Sequence, residues 1–263
     1  MREPRWARMI RFGALAALLA AAAEPAAAMV GGATPAADSA GRSVVMIVGS
    51  YGTVCTATAI ARDLLLTAAH CVQPGADYKL ADAVPGQRPE LKDIARIERD
   101  PQFDLKRLIA HLATADVALL KLAQPLEARV PPATIGGADE TVAVGDTLTV
   151  AGYGVTVHGA DHLDGMVRAA NLVVTGHPGS LQIRLFDPAT KGDTPGLGAC
   201  TGDSGAPAFR NSNGALAIVG VVSWSTGAKL SGGCGGLTGI TPLATYRTWI
   251  VDTARAFGSP LGP

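Results

Sequence analysis

The sequence has no excess of charge of either sign: 22 Lys and Arg stand against 22 Asp and Glu in 263 residues. It therefore offers no basic field for nucleic acid and no polybasic patch for anionic lipid. Its four cysteines contain no Cys-x-x-Cys pair, which argues against a zinc site. It has no nucleotide-binding glycine loop and no internal repeat. No stretch after the N-terminal region is long and apolar enough for a membrane helix, which takes about 20 residues.

What is present begins with an export signal. Arg2, Arg5, Arg8 and Arg11 form a basic head, residues 12–23 are apolar, Glu24-Pro25 breaks the run, and Ala26-Ala27-Ala28 offers a small-residue cleavage site. This pattern predicts a signal peptide over residues 1–28. An uncleaved anchor is the rival reading, and a run of 12 residues is short for it. Removal leaves 235 residues with 18 basic and 20 acidic side chains. That length suffices for one large domain or two small ones. The mature protein is expected to be soluble, secreted or periplasmic, and a monomer. Cys55, Cys71, Cys200 and Cys234 all remain, and an oxidising compartment predicts two disulfides with three possible pairings.

Glycine and proline punctuate short apolar runs at residues 44–48, 56–61, 116–122, 147–151, 171–175, 181–185, 216–224 and 236–241. Short strands between turn signals predict an all-β barrel or sandwich. One segment reads as a helix: Thr241-Pro242 as N-cap and first position, then a stripe of Leu243, Tyr246, Trp249, Ile250 and Phe257. Residues 126–132, ending in Pro131-Pro132, read as a linker.

Three motifs carry chemistry. Gly202-Asp203-Ser204-Gly205 places a serine on a tight turn, Ala68-Ala69-His70-Cys71 offers a base, and Asp116 heads an apolar run between them. A serine hydroxyl needs a neighbouring base to attack a carbonyl, and imidazole titrates where it can serve as base and then acid. Each motif alone is weak. The order His, Asp, Ser at these spacings is specific. His111, His158, His162 and His177 sit in no motif and read as surface or loop residues.

From about Val30 to Trp249 the chain resembles the trypsin/chymotrypsin-like serine endopeptidases. The resemblance implies two six-stranded antiparallel Greek-key β-barrels with a C-terminal helix, one over residues 30–130 with His70 and Asp116, the other over 131–263 with Ser204. Together they would form one peptidase domain over 30–255. It implies a His70, Asp116, Ser204 triad, an oxyanion hole from the N–H groups of Gly202 and Ser204, and disulfides Cys55–Cys71 and Cys200–Cys234. Val30-Gly31-Gly32 matches the mature N-terminus of the family, implying that the Val30 amine pairs with Asp203. Met29 departs from the pattern, because activated relatives carry Arg or Lys there. It is trimmed, or cleavage falls one residue later, or the longer terminus is tolerated.

Gly198, Thr201, Ser223, Trp224, Ser225 and Gly236 are the implied substrate-binding residues. Gly198 stands where basic-specific relatives have Asp, so an apolar residue is expected on the acyl side of the cleaved bond. Gly236 is expected at the back of that pocket and Ser225 at its mouth. Asp193 could in principle reach the pocket and restore a basic preference. Polypeptide substrates and protein inhibitors are the implied partners, with no nucleic acid, membrane, metal or cofactor. The rivals are a catalytically silent secreted binding protein on the same fold, and an esterase, for which the Gly-x-Ser-x-Gly motif lacks its last glycine.

Overall fold

A computed structural model describes residues 29–36, 40–82, 88–110, 112–160, 163–177 and 180–262. The expected signal peptide, His111 and His162 lie outside the described residues.

The elements in chain order are β1 (Thr34–Pro35), β2 (Val44–Gly49), β3 (Val54–Ala61), β4 (Leu64–Thr67), β5 (Tyr78–Asp82), β6 (Glu90–Arg99), α1 (Leu105–Ile109), β7 (Ala118–Leu122), β8 (Thr134–Ile135), β9 (Thr147–Gly152), β10 (Arg168–Gly176), β11 (Ile183–Phe186), β12 (Pro207–Ser212), β13 (Ala215–Ser225), β14 (Leu237–Pro242) and α2 (Arg247–Ala256). Each of the eight apolar runs holds a strand. Alternation sets the faces: in β9, Leu148 and Val150 are fully buried between outward Thr147 and Thr149.

Strands β2-β3-β4-β7-β6-β5 close into one antiparallel barrel. Strands β9, β10, β11, β14, β13 and β12 form a second ring, closed by the β12–β9 and β10–β9 pairings. The fold is the expected chymotrypsin-like pair of six-stranded barrels, with α2 at the C-terminal end. Closure leaves few unpaired strand edges. Residues 123–133, between the barrels, hold neither strand nor helix. Among the described residues no helix is long and apolar enough to cross a membrane.

One expectation needs correction. Thr241 and Pro242 do not start a helix; they pair with Val221 and Gly220 as the end of β14. The Leu243 N–H then donates to the Val219 carbonyl (2.9 Å), which extends the sheet contact. A 3-10 turn over Ala244–Tyr246 follows, and α2 starts at Arg247. The stripe itself is as expected: Leu243, Tyr246, Ile250 and Phe257 are buried, and Trp249 is half-buried.

The disulfides are Cys55–Cys71 and Cys200–Cys234. The first joins β3 to the turn carrying His70 across a separation of 16 residues. Replacing both of its cysteines with alanine is expected to lower the unfolding free energy by about 3 kcal/mol, the loop-closure entropy of a ring that size. A urea titration of the variant against the parent reads this as a lower midpoint.

Candidate active site

His70 lies in a short 3-10 turn, Ala69–Cys71, that follows β4 directly. Asp116 lies two residues before β7, with its N–H donating to the Thr114 carbonyl (2.9 Å). β4 and β7 are paired neighbours, so both side chains emerge at one end of the first barrel. The His70 Nδ1–H donates to Asp116 Oδ2 at 2.7 Å, and the His70 main-chain N–H donates to Oδ1 at 2.9 Å. Ser223 Oγ donates to the same Oδ2 at 2.5 Å. Asp116 is fully buried, and these three donors satisfy its carboxylate. The arrangement fixes the ring orientation of His70 and leaves Nε2 as the nitrogen free to take a proton.

Ser204 lies at the joint between the barrels. Its carbonyl accepts from the Thr56 N–H (2.8 Å) and lies 3.6 Å from Cys71 Sγ, beside the His70 turn. Thr56 does more than this. Its Oγ1–H donates to the Gly202 carbonyl (2.8 Å), the same oxygen accepts from the Tyr153 N–H (3.1 Å), and its carbonyl accepts from Thr67 Oγ1 (2.8 Å). Thr56 was not anticipated from sequence. The Ser204 hydroxyl makes no hydrogen bond among the described residues, so the His70–Ser204 contact is not closed in this structure. Catalytic hydrogen bonds often tighten only when substrate is bound.

The glycine turn has a particular donor pattern. Asp203 N–H donates to the Cys200 carbonyl (3.0 Å), Gly205 N–H to Val222 (2.8 Å), and Ala206 N–H to Asp203 (2.9 Å). The N–H groups of Gly202 and Ser204 donate to no protein group among the described residues. Two free N–H groups flanking a used one form a concavity suited to a single oxyanion. Gly202 has φ +95°, and a Cβ there would sit 3.0 Å from Gly154 Cα. Gly205 has φ +84°, and a Cβ there would lie 2.1 Å from Thr67 Oγ1 and 2.2 Å from the Thr56 carbonyl. A side chain at Gly205 would force the turn away from the first barrel, and one at Gly202 would push it off Gly154.

Asp203 is fully buried, and its oxygens accept from the Gly154 N–H (2.8 Å) and the Cys200 N–H (2.9 Å). Burial raises its pKa to about 7, against the opposing effect of those two hydrogen bonds. The expected pairing with Val30 requires a free amine, which the uncleaved chain does not have at that residue. The Val30 N–H donates instead to the Gly198 carbonyl (3.1 Å), in a bridge between the two segments. Met29, treated as an extra residue in the sequence reading, is fully buried in an apolar cluster with Ala199 and Ala206.

The expected substrate-binding residues gather beside this turn. β13 runs past the last β12 pairing at Val221 and stays paired only with β14, through Trp224↔Gly239 and Ser225↔Thr238. One edge of residues 223–225 is therefore open. Thr201 is exposed, and its carbonyl accepts from the Val155 N–H (2.8 Å). The atoms nearest a Cβ placed at Gly198 are those of Gly235 (3.3 Å) and Thr238 Oγ1 (3.4 Å), and no carboxylate is among them. A Cβ at Gly236 would meet the Gly227 carbonyl at 2.0 Å, so only glycine fits there. Thr238 is buried, and its Oγ1 accepts from the Ala199 N–H (3.0 Å). Asp193 is exposed, with its N–H on the Thr190 carbonyl (3.0 Å). His158 and His177 are exposed, as expected.

A serine-bearing glycine turn at the joint of two antiparallel barrels, facing a buried Asp–His pair, defines the chymotrypsin-like class of proteins. The sequence comparison agrees: residues 29–250 match the family model described as Trypsin. The chain belongs to that family, which is one of serine endopeptidases acting on polypeptides.

Asp203 provides a test of the uncleaved chain. Its folded-state pKa lies above the unfolded value of 3.8, so the folded state holds the extra proton between those values. Stability is full below the unfolded pKa and falls as pH rises toward 7, by up to about 4 kcal/mol for a shift of this size. Urea midpoints of the full-length chain are expected to drop between pH 4 and pH 8 on this account. Asp203→Asn should remove most of that slope.

Proposed function

We propose that this chain is a secreted serine endopeptidase of bacterial type, made with a signal peptide over residues 1–28 and working as one peptidase domain over 30–255. The observation that supports it best is the meeting of two features. One is the hydrogen-bonded chain Ser223–Asp116–His70. The other is a turn that leaves the N–H groups of Gly202 and Ser204 unspent beside the Ser204 hydroxyl. Two disulfides suit an oxidising, exported setting.

In this reading a polypeptide adds to the open edge of β13 at Ser223–Ser225 as an antiparallel strand. His70 Nε2 takes the Ser204 hydroxyl proton as Oγ adds to the carbonyl carbon. The resulting oxyanion accepts from the Gly202 and Ser204 N–H groups, each typically worth 10²–10³-fold in kcat. Asp116 holds the tautomer and stabilises the imidazolium without taking the proton. His70 then protonates the leaving amine, and water, activated by the same nitrogen, releases the acyl group. Thr56 acts as a positioning residue: it holds the Gly202 and Ser204 carbonyls away from the oxyanion site.

The pocket for the acyl-side residue has walls of Gly198, Thr238 and Ser225. It supplies no carboxylate, and the paired Ser225 and Thr238 side chains reduce its width. It suits a small apolar side chain. Cleavage of a peptide library varied at that residue is expected after Ala, Val or similar residues, and to vanish in Ser204→Ala. Cleavage after Lys or Arg would overturn the pocket assignment. No cleavage by correctly processed protein would favour the silent binding protein.

We also propose that the mature chain begins at Met29, directly after the Ala28 cleavage site, and that the Met29 amine is the partner of Asp203. Three observations support this. The Val30 N–H is already engaged, Met29 is buried next to the residues flanking Asp203, and the family match begins at residue 29. Export then activates the enzyme without a separate protease. Terminal mass spectrometry of active enzyme should read Met29. Acetylating that amine should cost about 10²–10³-fold in activity, the effect of leaving a buried charge without its partner. A Val30 terminus in fully active enzyme would sink the assignment.

A further inference from the structure

A cleft of about 430 Å³ continues from the open edge of β13. Trp224 forms its floor, and Leu108, Leu112 and Leu237 give it apolar walls. Arg184 is the one ionisable side chain in its lining.

The sheet register explains why Arg184 is there. Arg184 pairs with Gly239 across β11–β14, and Gly239 pairs with Trp224 across β14–β13. Residues in one such row project from the same face of the sheet. Gly239 has no side chain, and the Trp224 ring fills the space: a Cβ at Gly239 would lie 2.0 Å from the indole. The indole thus lies over β14 on the side of Arg184. Arg184 is exposed and makes no hydrogen bond or ion pair among the described residues. Gln182, two residues earlier on the same face, is 8% exposed and lines the cleft. Its side-chain amide also makes no hydrogen bond among the described residues. Both side chains line the cleft with no protein partner among the described residues, so an acidic or amide-bearing ligand side chain can pair with them. Nearby acid does not fill that role: Asp104 caps α1, accepting from the N–H groups of Lys106 and Arg107.

We infer that Arg184 makes this cleft select polypeptide substrates with a glutamate two to four residues before the cleaved bond. The inference rests on the endopeptidase reading above. A strand added along Ser223–Ser225 advances about 3.3 Å per residue and carries those side chains over Trp224. The methylenes of glutamate cover the indole, its carboxylate meets the Arg184 fork, and the Gln182 amide donates to whichever oxygen remains. Aspartate is one methylene short of the same reach.

The test uses mature protein and fluorogenic peptides with a fixed small apolar residue before the bond and Glu, Gln or Lys at each of the three preceding positions. Glu is expected to exceed Lys in kcat/KM by about five- to tenfold at one position, as a half-exposed ion pair allows. The preference should shrink in 1 M salt, where the Debye length falls to about 3 Å. Arg184→Gln should bring the Glu-to-Lys ratio of kcat/KM to about one, and Arg184→Glu should reverse it. Equal rates for Glu and Lys at all three positions would overturn the inference while leaving the endopeptidase reading intact. If no peptide is cleaved, binding of the same peptides to Ser204→Ala by fluorescence anisotropy decides. Arg184-dependent binding of the Glu peptides upholds the cleft assignment without catalysis, and equal binding of Glu and Lys peptides ends it.

Discussion

Thr56 holds the molecule together at the point where it matters. It belongs to β3 in the first barrel, yet its hydroxyl and its N–H hold the Gly202 and Ser204 carbonyls of the second, and a third bond reaches Tyr153. Thr56, Gly202 and Tyr153 are buried, so these groups cannot turn to water if the contact is lost. The close approach also requires Gly205, because any side chain there would meet Thr56 and Thr67. The cleft between the barrels is thus set by the hydroxyl and main chain of Thr56, and the side chains that would act on substrate follow from that setting.

The glycine turn stores an electrostatic imbalance. Asp203 is buried with two N–H donors and no cation among the described residues. The same geometry that makes Asp203 costly to ionise makes the site hungry for a positive group. Gly152 and Gly154 bring the backbone close enough to hold the carboxylate, since a Cβ at either would sit 2.2 Å from an Asp203 oxygen. In the proposed mature chain a single amine at Met29 answers this demand, which ties the shape of the oxyanion turn to the position of one cleavage.

Much of this was legible in the sequence. His70, Asp116 and Ser204 stand out because the chemistry demands those residue types, and the eight apolar runs mark the strands whose alternation faces a core. Other parts were not legible. Strand β6 is largely exposed and rich in charge, so its composition resembles a loop. Strand β12 opens on Pro207, which a strand tolerates only at its first residue or an edge. Thr56 and Gly202 are 146 residues apart, and nothing local to either marks the pairing. Thr238 was missed for a related reason: only the β13–β14 register sets it opposite Ser225. Thr241-Pro242 misled because a good helix start is also a good strand end, and the ladder to Val221 decided between them. Met29 was read against the expectation of a basic residue, and its full burial in an apolar cluster is a matter of tertiary packing that the sequence does not announce.

The open edge of β13 has a consequence beyond substrate capture. An edge that accepts a peptide strand does not distinguish an intact chain from the acyl half of one already cut. That half keeps every main-chain contact along Ser223–Ser225 and gains a terminal carboxylate, an anion that the Gly202 and Ser204 N–H groups can hold. The amine half keeps neither. On the endopeptidase reading, the two products therefore leave at different rates, and the acyl-side fragment competes with fresh substrate as it accumulates. Turnover would then slow by retention of one product well before the substrate is exhausted.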